Sequence, residues 1–110
     1  MARVTYNKLI HDQVKANIES NGDTCEVKVL DDHDFKIALL DKLVEEATEL
    51  KNSKTRQDFL SEYADLMVVL DELTNLEDFS EADIKLALEE NLTKKGRFKY
   101  RHFLLWSEYK

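Results

Sequence analysis

Proline is absent from this 110-residue chain and glycine occurs only at Gly22 and Gly96. Interruptions must therefore be read from capping residues and from changes in hydrophobic period, and no flexible linker divides the chain. Cys25 is the only cysteine, which excludes an internal disulfide and a cysteine-based zinc cluster; a buried, inert thiol is expected. No apolar run approaches the roughly eighteen residues needed to span a bilayer, and the N-terminus lacks a secretory signal pattern, so the expected address is cytoplasmic, away from membranes. Asn91-Leu92-Thr93 fits a glycosylation sequon, which is set aside for the same reason. Acidic residues outnumber basic ones, 23 to 16. The net charge of -7 opposes binding to nucleic-acid polymers, whose affinity comes largely from basic side chains on phosphates. A small phosphorylated ligand is still compatible, because a metal ion neutralises its charge locally.

What is present is the composition of a folded protein, with 43% apolar and 35% charged residues. The length suits one domain spanning residues 1–110 with one hydrophobic core. Leu9, Ile10, Val14 and Ile18 recur at helical spacing and predict a first helix from Asn7 to Ser20, stopped by Asn21-Gly22. Cys25, Val27 and Val29 alternate with Glu26 and Lys28, the period of a half-buried strand from Cys25 to Leu30. Asp32 or Asp34 caps a second helix, in which Phe35, Leu39, Leu40, Leu43, Val44, Ala47 and Leu50 form a broad apolar face ending near Asn52-Ser53. The third helix opens at Thr55, with Asp58 three residues on, and runs to about Leu76. It is apolar nearly all round between Tyr63 and Leu70, which predicts a central, well-buried helix. Ser80 and Asp83 start a fourth helix through Ile84, Leu88 and Leu92, stopped at Gly96. The aromatic tail from Phe98 to Trp106 is a candidate strand partner for Cys25 to Leu30. The expected fold is all-α, a bundle of about four helices with a minor short β pairing.

Helical geometry turns about 100° per residue, so positions three apart share a face one turn up. Glu46 and Glu49 form such a pair on the second helix, and Glu62 and Asp65 form another on the third. Each pair lies at the edge of an apolar face, with Glu45 pointing more toward solvent. Carboxylates beside a core are costly unless their charge is offset, and four together repel one another. A hard divalent cation resolves both problems. Mg²⁺, with Mn²⁺ as the alternative, accepts an all-oxygen site and keeps positions for water or phosphate oxygens. Zinc is disfavoured, because no cysteine or paired histidine lies near the acids; His11, His33 and His102 lack ligand spacing and read as surface or capping residues.

Glu45-Glu46-Ala47-Thr48-Glu49, followed by Glu62-Tyr63-Ala64-Asp65, resembles the EExxE and ExxD motif of the MazG-like, all-α nucleoside triphosphate pyrophosphohydrolases. Tyr6-Asn7-Lys8-Leu9-Ile10, Thr24-Cys25-Glu26-Val27 and the stretch from Gly96-Arg97-Phe98 to Arg101 resemble the subgroup labelled phosphoribosyl-ATP pyrophosphohydrolase-like. Two segments depart from that subgroup: His11-Asp12-Gln13-Val14-Lys15 stands where Arg-Asp-Lys-Ile-Pro is usual, and Arg97 replaces a second glycine. The resemblance implies Mg²⁺-dependent cleavage between the α- and β-phosphates of a nucleoside triphosphate, giving monophosphate and pyrophosphate. It implies metal ligation by Glu46, Glu49, Glu62 and Asp65, and a homodimer or homotetramer whose helices complete the bundle and the substrate pocket.

A triphosphate also needs cationic donors, and the candidates are Lys8, Lys94, Lys95, Arg97 and Arg101, with Asn91 a candidate contact to sugar or base. No Ser/His/Asp or Cys/His arrangement suggests a covalent route, so the expected nucleophile is a water oriented by Glu45 or Glu49. A house-cleaning role against surplus or non-standard nucleotides is the preferred biological reading. The competing readings are a non-catalytic nucleotide-binding regulator on the same scaffold and a plain helical oligomerisation module.

Overall fold

The computed structural model describes residues 2–110. It is all-α, with four helices: α1 (Val14–Ser20), α2 (Asp32–Lys51), α3 (Arg56–Leu76) and α4 (Glu81–Lys95). Two compact units are distinguished, one running to Asp78 and the other from Phe79 to Lys110.

The first unit is built on the α2–α3 hairpin. Asp31 caps α2 by accepting the Asp34 N–H at 2.8 Å, in place of the expected Asp32 or Asp34. Thr55 caps α3 in the same way, accepting from the Asp58 N–H at 3.0 Å. The connection from Asn52 to Thr55 is too short for anything but an antiparallel return, and Lys36 near the start of α2 pairs with Glu77 just past the end of α3. Leu39 of α2 and Val69 of α3 are the buried apolar residues of the hairpin. The buried stripe of α2 also contains Lys42 and Glu46, so two charged groups sit where the apolar pattern alone would place a core. Leu40, Val44 and Ala47, expected on that face, are exposed.

Three expectations are corrected in this unit. The first helix begins at Val14 rather than Asn7; Asn7 adopts a positive φ of 47°, and residues 7–13 carry side chains onto α2 and α3 instead of completing a helix. Cys25 to Leu30 is not a strand and Cys25 is exposed, as there is no strand among the described residues to supply a ladder. The stretch from Tyr63 to Leu70 is not buried all round: Tyr63, Met67, Val68 and Leu70 remain exposed in the single chain.

In the second unit, Ser80 and Asp83 form a full capping box at the start of α4. Gly96, at φ 74°, ends the helix in a conformation that an L-residue adopts only with strain. None of the residues of α4 is buried. The tail beyond it is exposed and without strand structure, which removes the expected β pairing.

Candidate metal centre

The one-turn spacing on each helix and the antiparallel return of the hairpin bring acids of α2 and α3 together. Glu46, Glu49 and Glu62 each offer a carboxylate oxygen, and these atoms all lie within 4.8 Å of one another. Glu46 is 3% exposed, and its Oε2, like Oε2 of Glu62, is buried without a hydrogen-bond partner. Buried carboxylate oxygens are normally satisfied, and an unsatisfied one costs on the order of 1–3 kcal/mol. The donor set is all oxygen, the chemistry of a Mg²⁺ or Mn²⁺ site. Burial drives the Glu46 carboxyl above its ordinary value; Lys42 opposes this and the charges of Glu49 and Asp65 add to it. Among these groups the electrostatic deficit is positive charge.

Asp65, the fourth expected ligand, stands close enough to act on Glu46 but outside the three-oxygen cluster. Its Oδ1 lies 3.8 Å from Nε2 of His11. The segment before α1 thus delivers a histidine to Asp65, a placement that spacing within α2 and α3 gives no means of finding.

Glu45 is held differently from its neighbour. Lys42 Nζ lies 3.2 Å from its Oε1 and Lys8 Nζ lies 3.5 Å from the same atom. Burial pushes the Glu45 carboxyl up, but the two ammonium groups outweigh it and leave the group below its ordinary value. A carboxylate engaged in this way is a poor proton acceptor. Glu49 is exposed and belongs to the oxygen cluster, which favours it over Glu45 for orienting water.

Lys42 is the residue that the acid motif leaves unmentioned. Its Nζ also lies 3.2 Å from Glu46 Oε1, and the residue is 8% exposed. Burial lowers the tendency of Lys42 to hold its proton, but Glu45 and Glu46 more than reverse this and keep it charged. The spacing of Lys42 to Glu45 and Glu46, three and four residues along one helix, is the signal that would have found it.

Of the expected phosphate-binding residues, Lys8 is therefore paired with Glu45, its Nζ also 5.6 Å from the centre of the Tyr6 ring. In the second unit Asn91, Lys95 and Arg97 line a cavity of about 270 Å³ with Leu92, Gly96 and Phe98. Lys94 and Arg101 are not in that lining; Arg101 has a positive φ of 55°, and its N–H donates to the Phe98 carbonyl at 3.1 Å. A cavity of about 490 Å³ at the α2–α3 connection, between Ser53 and Leu60, contains none of the acids. A second acidic group, Asp31, His33 and Asp34, is exposed, with Asp31 already used as the α2 cap.

Among the described residues no helix is long and apolar enough to cross a membrane. Comparisons of the chain with family models, with curated proteins and with solved structures return no match.

Proposed function

We propose that this chain is a divalent-metal-dependent nucleoside triphosphate pyrophosphohydrolase of the MazG-like kind, cleaving the α,β-phosphoanhydride to release monophosphate and pyrophosphate. The observation that carries the reading is the Glu46, Glu49 and Glu62 oxygen cluster with a buried, unpartnered Oε2 on Glu46. Four carboxylates on two helices, Asp65 included, have the ligand character of a Mg²⁺ site that shares its cation with phosphate oxygens.

Mg²⁺ held there would supply Lewis-acid stabilisation of charge on the phosphoryl oxygens. The chain's own groups would do the rest. Glu49 orients a water toward the phosphorus and accepts its proton. Glu45 stays ionised between Lys8 and Lys42, so that these lysines are fixed beside the acids. Within the second unit, Asn91, Lys95 and Arg97 line a cavity together with Leu92 and Phe98, and its two cations are of the kind that bind an anionic group. The activity fits a house-cleaning role against surplus or non-standard nucleotides.

The test is the release of pyrophosphate and of orthophosphate from a panel of nucleoside triphosphates, with Mg²⁺ and with chelator. Wild type should release pyrophosphate only with metal, Glu49→Gln should reduce turnover by about 10²–10⁴-fold, the range for a lost general base, and Asp65→Asn should reduce it as well. Tight nucleotide binding with no product would replace the enzyme by a nucleotide-binding regulator.

A further inference from the structure

Glu46 presents its two carboxylate oxygens to different surroundings. Oε1 is 3.2 Å from the Lys42 ammonium, while Oε2 is buried and has no partner. Both residues belong to the buried stripe of α2, where water cannot readily replace either contact. We propose that Lys42 is a specificity-determining positioning residue, which confines Glu46 to one-oxygen ligation through Oε2 and so makes the centre select Mg²⁺ over Ca²⁺. This rests on the metal centre of the proposed function and adds a role for a residue outside its ligand set.

The physical basis is charge and coordination geometry. Bidentate chelation by Glu46 would set a divalent cation and an ammonium against the same Oε1. The repulsion between them is strong where burial limits screening. Mg²⁺ loses little by this restriction, because it takes six ligands in an octahedron and retains waters. Ca²⁺ loses more, because it takes six to eight oxygens and readily uses carboxylates through both atoms. Lys42 also meets Glu45 Oε1 at 3.2 Å, so its ammonium is anchored from two sides rather than swinging with Glu46 alone. Lys8 holds Glu45 in turn. The selectivity device is thus a chain of fixed charges, Lys8 to Glu45 to Lys42 to Glu46, ending at the oxygen left for the metal.

The experiment is titration calorimetry of Mg²⁺ and of Ca²⁺ into the full chain, for wild type, Lys42→Met, Lys42→Gln and Lys42→Arg, each checked for helix content by circular dichroism. Partners of metal ligands typically set affinity by about 10–100-fold, so the preference for Mg²⁺ over Ca²⁺ should fall about tenfold in both uncharged variants. Lys42→Arg, which keeps the cation, should retain the wild-type preference. Lys42→Gln preserves a polar group in the buried stripe and serves if Lys42→Met does not fold. Parallel changes in the two affinities, with the preference kept, would overturn the role of Lys42 while leaving the metal centre standing. Loss of all binding in a folded, uncharged variant would also overturn it, by making Lys42 a general support of Glu46. No binding of either ion by wild type would overturn both this inference and the metal centre.

Discussion

Burial of Glu46 has a thermodynamic consequence that separates the metal-free from the metal-loaded protein. Its folded value is raised above 4.5, chiefly by burial. Below that pH the group is protonated in folded and unfolded chains alike, and its contribution to stability is fully present. As pH rises through the raised folded value, a charge must be kept in the buried stripe and that contribution is lost. Glu46→Gln removes the titration. In chelator, wild type and Glu46→Gln should therefore melt alike in acid, with the variant becoming the more stable as pH rises toward neutrality. Added Mg²⁺ should reverse the order near neutral pH, since an ion at about 100 times its Kd stabilises the state that binds it by about 2.7 kcal/mol. Thermal scans across a pH series with and without Mg²⁺ check both halves. A Glu46→Gln curve parallel to wild type at every pH would mean that keeping the Glu46 charge in the buried stripe carries no net cost.

At the scale of elements, the helices legible in the sequence are those whose signals are local. Thr55 with Asp58 and Ser80 with Asp83 mark the starts of α3 and α4 because a cap is a contact within one turn of chain. Gly96 marks a stop for a similarly local reason, its positive φ. The alternation at Cys25 to Leu30 does not make a strand, because alternation is a necessary feature of a half-buried strand but not a sufficient one; a ladder needs a partner, and periodicity says nothing about whether one arrives. The start of α1 at Val14 departs from the helical spacing for a related reason. Lys8 and His11 meet Glu45 and Asp65 across the fold, and those long-range contacts accompany the loss of helix from Asn7 to Gln13. In the candidate site, the acids are legible from their three-residue spacing and the Lys42 contact to Glu46 Oε1 from its spacing of four, whereas the burial that leaves Oε2 without a partner is a property of the folded hairpin. Thr55 gives the element-scale prediction. Thr55→Ala leaves one α3 N–H without its side-chain acceptor and should cost about 1 kcal/mol. Urea unfolding should show a lower midpoint with an unchanged slope, because one cap is lost and the buried area is not. An unaltered midpoint would mean that water serves that N–H as well as Thr55 does.

For the whole molecule, the decisive imbalance is between the apolar surface the helices carry and the little that one chain buries. Leu39 and Val69 are the buried apolar residues among the described residues, a small core for a protein with 43% apolar content. The surplus is ordered rather than scattered. Ile37, Leu40 and Val44 lie exposed on α2 at intervals of three and four, and Leu60, Tyr63, Met67 and Leu70 repeat the same intervals on α3. Stripes of that spacing are the seams by which helices pack side by side. α4, none of whose residues is buried, is a 15-residue helix, a length that is marginal in water without a partner. These features support the proposal of a homodimer or homotetramer in which helices of other copies cover the stripes. If so, folding and assembly are linked, and the melting temperature must rise with protein concentration. Sedimentation equilibrium should give twice or four times the mass of a single chain. Val44→Glu and Met67→Glu, each placing a charge in a seam, should shift the mass toward one chain and lower the melting temperature together. A folded wild type with the mass of one chain, and a melting temperature independent of concentration, would leave the stripes as surface and the oligomer without support.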